Sequence, residues 1–179
     1  MRIMEDDQSI FTMIIQGEIP CHKVYEDDLI FAFLDINPSS PGHTLVVPKE
    51  PARTLDELSH DSAQAICKAL PRISKAVLEA TGASEFNVIQ NNGPNAFQSV
   101  FHVHFHIIPK MEDGRGLTFP FNPTSIDHED GAHLSSSIRD LLSRPASQYS
   151  RPLTPSETRV GYAGCTRYRT RVVQRSNEA

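Results

Sequence analysis

The chain has 179 residues, 39% hydrophobic and 22% charged, an ordinary globular mix that supports one sizeable core and needs no disulfide staple. Its apolar runs are far shorter than the roughly 18 residues of a membrane span, and three scattered cysteines (Cys21, Cys67, Cys165) exclude a disulfide framework and point to a reducing compartment. The net charge of −5 is uneven: residues 1–143 hold 10 Lys and Arg against 20 Asp and Glu, and such an acidic body does not suit an extended nucleic-acid surface.

The first nine residues are acidic, with neither a basic nor an apolar region, and predict no secretory leader. Ser9 is placed to cap a short helix in which Ile10, Phe11, Ile14 and Ile15 recur at helical spacing, ended by Gly17 to Pro20. Val24-Tyr25 reads as a short strand and Leu29 to Leu34 as a longer one. A dense turn at residues 37–42 leads into a strand from His43 to Val47, closed by Pro48. The longest helix is predicted over Asp61 to Thr81, with Ile66, Leu70, Ile73 and Val77 as its buried stripe, Gly82 as its end and Pro71 as a kink or break. Glu85 to Gln90 is the next strand, Asn91 to Pro94 a turn, and Val100 to Ile108 the best-defined strand, stopped by Pro109. Residues 111–127 read as loop and Glu129 to Leu142 as a helix. From Arg144 onward, seven Arg against two Glu, with Pro and Ser, describe a basic, disordered tail, within which Thr166 to Gln174 has some strand character. Hairpins around one long helix make the fold class α+β, with an antiparallel sheet.

The chemistry is concentrated in Phe101-His102-Val103-His104-Phe105-His106-Ile107-Ile108. Alternate side chains of a strand share a face, so three histidines at i, i+2 and i+4 are predicted to line one face and the apolar residues the other. Two chemistries fit. Neighbouring imidazoles can share a zinc ion, although the outer pair, about 13 Å apart at Cα, cannot both reach one ion. Alternatively, a neutral imidazole can attack phosphorus while its neighbours orient it and move protons. Upstream, the stretch from Asn91 to Ser99 offers amide and hydroxyl groups suited to phosphate oxygens.

These residues resemble the histidine triad (HIT) family, whose signature alternates three histidines with apolar residues and here reads His102-Val-His104-Phe-His106-Ile-Ile. Residues 31–38 and 41–49 are similar to a second block of the family, and Ile10 to Pro20 to its N-terminal helix, so the likeness covers about residues 8–111. The resemblance implies a sheet of about five strands with two main helices, a homodimer, and cleavage of purine nucleotides at the α-phosphate. It implies that His104 is the nucleophile that becomes nucleotidylated, that His102 and His43 support a histidine relay, and that His106 contacts phosphate. It makes Asp35 the carboxylate for the ribose hydroxyls and Ile10, Phe11, Ile14 and Ile36 the slot for the base. Asn91, Gln98 and Ser99 then surround the phosphate and leaving group.

Many members hold zinc between two cysteines of the first helix and histidines equivalent to His43 and His102; Ser9 and Thr12 occupy the cysteine positions, so no metal or other cofactor is expected. Phe97 stands where the family commonly has glycine, which narrows the leaving-group side. The expectation is a domain over residues 1–143 followed by a tail over 144–179, in an adenosine phosphoramidase of the cytoplasm, with the nucleus as alternative. A dinucleoside polyphosphate hydrolase and a non-catalytic nucleotide-binding scaffold are the competing readings. The expected partner is a purine mononucleotide or its conjugate; no membrane is expected, and nucleic acid only for the basic tail.

Overall fold

The structure is a computed structural model that describes residues 8–118 and 123–144. The chain divides into two compact units, residues 1–120 and 121–179. In the first, β1 (Lys23–Glu26), β2 (Ile30–Leu34), β3 (Thr44–Pro48), β4 (Glu85–Gln90) and β5 (Phe105–Lys110) form one antiparallel sheet in the order β1-β2-β3-β5-β4. The short helix α1 (Ile10–Ile15) covers one face and the long helix α2 (His60–Thr81) the other.

Two cores follow from this sandwiching. Ile30, Ala32, Val46 and Ile107 face α2 and meet Ile66, Ala69, Ile73 and Val77, with Leu70 half-buried beside them. Phe31, Phe33, Leu45 and Val47 face the other way and meet Phe11 and Ile14 of α1. A strand buried on both faces has no reason to alternate, which is why β2 reads as a continuous apolar run. Glycine is required at Gly42: its φ is +80°, and a Cβ there would come within 2.5 Å of the Thr81 side chain.

Three boundaries differ from the sequence expectation. α2 runs unbroken through Pro71, whose side chain is exposed. Pro109 lies inside β5 rather than ending it: it pairs with Phe86, while the β3 ladder has already ended at Ile107, so the missing N–H leaves no gap on that side. The expected strand from Val100 begins only at Phe105, because the His102 N–H turns back to the Val100 carbonyl at 2.9 Å and the Val103 N–H goes to the Ala52 carbonyl at 2.7 Å.

In the second unit, α3 (His128–Leu142) is capped by Asp127, whose carboxylate accepts from the Glu129 and Asp130 N–H groups. Among the described residues no helix is long and apolar enough to cross a membrane. The strand character of Thr166 to Gln174, Cys165 and the tail beyond Arg144 lie outside the described residues.

Candidate active site

The motif is bent where the ladder ends, and the bend gives its three histidines different surroundings. His102 is 1% exposed. Its Nε2 lies 2.8 Å from the Pro48 carbonyl, which can only accept, so Nε2 carries the proton. Nδ1 is then the acceptor and takes the Ser9 hydroxyl at 3.0 Å. The same hydroxyl accepts the Thr12 N–H at 3.1 Å as the N-cap of α1. Both ring nitrogens of His102 are therefore spent on protein.

His104 is equally buried, but only half committed. Its Nδ1 donates to the His102 carbonyl at 2.7 Å, which leaves a bare lone pair on Nε2. Among the described residues no buried polar side-chain atom lacks a partner, and Nε2 has none, so it opens to the surface. The Phe11 ring meets the His104 ring edge-on at 5.0 Å and fixes its plane.

His106 joins a third arrangement. β5 sets it opposite Leu45, and its Nδ1 lies 2.9 Å from Nε2 of His43. The Ser39 N–H donates to His43 Nδ1 at 3.2 Å, so His43 carries its proton on Nε2 and donates it to His106. The remaining His106 nitrogen, Nε2, then bears a hydrogen with no acceptor among the described residues. Closure of the β2–β3 hairpin, where the Asp35 N–H meets the His43 carbonyl at 2.9 Å, brings the Asp35 carboxylate within 3.5 Å of His43 Nδ1.

Burial pushes the basicity of His43, His102 and His104 below the ordinary histidine range. His106 is pushed down to about 4, by burial first and then by its histidine neighbours. At neutral pH all four imidazoles are uncharged, which a nucleophile and a relay both require.

The other expected residues divide. Phe11 and Ile14 are buried in the α1 core, whereas Ile10 is 48% and Ile36 91% exposed. Gln98 is buried and its carboxamide is fully engaged by backbone, accepting from Gly93 N–H and donating to the Arg53 and Val100 carbonyls. It holds the 91–99 loop against Arg53 rather than offering an amide to a ligand. Asn91 is half-buried, its amide 3.5 Å from the Phe97 carbonyl, and Ser99 is exposed. Phe97 adopts φ 65°, the left-handed region that favours glycine, and is 87% exposed. Sequence reasoning missed the Pro48 carbonyl, the Ser39 N–H and the Ser9–His102 bond; backbone acceptors carry no residue-type signal.

Zinc does not fit the donors gathered on His102. Ser9 and Thr12 bring hydroxyls, poor zinc ligands, and His43 sits with His106 and Asp35 instead of beside them. One ligand atom each from Asp35, His43 and His106 lie within 4.8 Å of one another, but the two histidines already share a hydrogen bond that a common ion would have to break.

Comparison with known proteins agrees with the geometry. The HIT domain profile matches residues 16–113. The chain is 40% identical over 146 residues to an adenylylsulfatase of Arabidopsis thaliana, covering 80% of this chain and 74% of that protein. It is 44% identical over 135 residues to an adenosine 5′-monophosphoramidase of Schizosaccharomyces pombe, covering 73% of this chain and 98% of that protein. The crystal structure of a HIT family member from Bacillus subtilis superposes with a TM-score of 0.74 at 38% identity, covering 78% of this chain and 100% of that one.

Proposed function

Because the chain belongs to the HIT family, we propose that it is a hydrolase that cleaves purine nucleotides at the α-phosphate through a nucleotidyl-His104 intermediate, with adenosine phosphoramidates as its substrates. The observation that carries this reading is the bare Nε2 of His104, held in one tautomer by the His102 carbonyl at 2.7 Å. The names of the relatives, an adenosine monophosphoramidase and an adenylylsulfatase, support the same class of substrate.

In the proposed reaction, the His104 lone pair attacks phosphorus and the bond to the leaving group breaks. His106 Nε2–H donates to a phosphate oxygen or to the departing atom. The proton is replaced through His43, which passes its Nε2 proton to His106 Nδ1 and takes one from solvent at its own Nδ1, beside the Asp35 carboxylate, so that both rings stay neutral. Water then cleaves the P–N bond to His104 and releases AMP. Asp35 has lone pairs left for the ribose hydroxyls, and the exposed Ile10 and Ile36 are available to cover a base. We read the site as metal-free. The expected homodimer has a candidate seam at β4, an edge strand whose outer side pairs with no strand among the described residues and on which Phe86 and Val88 are exposed.

Intact-mass measurement during turnover of a slow AMP phosphoramidate tests the reading. An AMP adduct that maps to His104 is expected; AMP release with no adduct at any time would overturn the covalent route.

A further inference from the structure

Two groups of opposite character meet at His43 Nδ1. The Ser39 N–H stands at 3.2 Å and the Asp35 carboxylate at 3.5 Å. A backbone N–H can only donate and a carboxylate can only accept, so the two favour opposite tautomers of the ring. Paired with Ser39, His43 carries its proton on Nε2 and donates it to His106 Nδ1, and His106 presents Nε2–H outward as an acid. Paired with Asp35, His43 carries its proton on Nδ1 and accepts from His106 Nδ1–H, and His106 presents a bare Nε2, a base. The contact that Ser39 makes therefore decides which way the pair of rings faces.

Ser39 is held from outside its own turn. Its carbonyl accepts the Gly116 N–H at 3.2 Å. Its neighbour Ser40 is 3% exposed and donates its hydroxyl to the Pro109 carbonyl at 2.6 Å, beyond Ile107 where β3 no longer pairs with β5. The Ser40 carbonyl accepts the His43 N–H at 3.1 Å and closes the turn. Gly116 approaches the same Pro109 carbonyl: its φ is +117°, and a Cβ there would come within 2.7 Å of that oxygen. The end of β5 and the loop after it thus grip the turn that carries Ser39.

We propose that Ser40 is a positioning residue for the relay: together with Gly116 it holds the Ser39 N–H against His43 Nδ1, and so sets His106 as proton donor before the substrate reacts. This assignment rests on α-phosphate cleavage at His104 as proposed for the site. In the step it serves, the P–N bond breaks, its electron pair stays on nitrogen, and nitrogen takes the His106 Nε2 proton. Neither Ser40 nor Gly116 has to touch the nucleotide.

The test uses the full-length protein with isotope-labelled histidine. The ring nitrogen shifts of His43, assigned against His43→Gln, show which nitrogen carries the proton, and the wild type is expected to hold Nε2–H in excess. Two substrates accompany it: AMP joined to an alkylamine, which needs a proton to depart, and the p-nitrophenyl ester of AMP, which sheds a stable phenolate without one. Ser40→Ala is expected to lower the Nε2–H to Nδ1–H ratio about fivefold, the weight of one hydrogen bond. It should lower kcat/KM for the amine about twofold or more and leave the ester unchanged. Gly116→Ala, which disturbs the same support from the other side, should move both readouts in the same direction, and Ser40→Thr, which keeps the hydroxyl, should move neither. Excess Nδ1–H in the wild type overturns the proposal. So does a Ser40→Ala protein that loses Tm with the tautomer ratio unmoved, or that loses both substrates equally, and in each case the hydrolase stands. If the wild-type protein releases AMP from neither compound, the hydrolase reading itself falls and takes the proposal with it.

Discussion

His102 and His106 flank His104 at the same spacing in sequence, and their surroundings are opposite. On the His102 side, both ring nitrogens are tied to protein: to the Pro48 carbonyl and to the hydroxyl that caps α1. On the His106 side, each ring passes a proton position to the next, from His43 to His106 and outward, with Asp35 behind the chain. One flank is a clasp and the other a conduit. His104 sits between them with its Nδ1 fixed by the clasp's own carbonyl. In the proposed reaction, fixing a tautomer and moving a proton are separate tasks, and the two flanks of the motif divide them.

That division can be broken at three points, with effects of decreasing size. Removing the centre should cost most. His104→Asn is expected to lower kcat/KM for AMP release by at least about 10⁴-fold, as loss of a covalent nucleophile does elsewhere. AMP binding, followed by calorimetry, should survive; an unaffected rate would show that water attacks directly. Cutting the conduit comes next. His43→Gln removes the group that hands its proton to His106, and general acid–base assistance of this kind contributes about 10²-fold or more. The loss should fall on kcat, because His43 has no need to touch the ligand. An equal loss in AMP affinity would instead place His43 in the binding surface.

The histidine cluster was legible in the sequence because three histidines in period-2 alternation are hard to explain by packing alone, although His102 proves to be bonded to protein at both nitrogens. The strands β1 to β4, the long helix and its stripe at Ile66, Ile73 and Val77 followed from ordinary periodicity, whereas the order of the strands in the sheet did not. What alternation could not reveal was where the ladder stops. Val100 to His104 has the same pattern as a strand, but β4 pairs only as far as Phe105 and β3 only as far as Val46 opposite it, so the preceding residues turn away. Period 2 records side-chain preference and says nothing about a missing neighbour. Gln98 illustrates a second limit: its amide suits a phosphate as well as a backbone, and only its burial against Gly93 and Arg53 decides. Pro109 shows a third, since a missing N–H matters only where a partner carbonyl waits.

Breaking the clasp should have the smallest effect on chemistry and a clear one on stability. Ser9→Ala leaves His102 Nδ1 without its donor in buried surroundings beside Phe11, and removes the N-cap of α1. An unpaired buried acceptor costs about 1–3 kcal/mol and a lost cap about 1 kcal/mol, so Tm should fall by roughly 5 °C or more. Ser9→Thr keeps the hydroxyl and should stay near wild type, which separates the hydrogen bond from mere bulk. The rate at neutral pH should change far less than in His43→Gln, because the His102 carbonyl that holds His104 is untouched. Acid provides the matching measurement. His43, His102, His104 and His106 are all less basic when folded than the unfolded value of 6.5, and His106 reaches about 4. The unfolded chain therefore binds more protons between those limits, and stability gained from burying neutral imidazoles is present above pH 6.5 and lost as pH falls toward 4. Tm should decline across that window in wild type and in Ser9→Ala alike. A Tm that stays flat from pH 7 to 5 would mean that these rings are not buried uncharged, and would undo the distinction between clasp and conduit at its physical root.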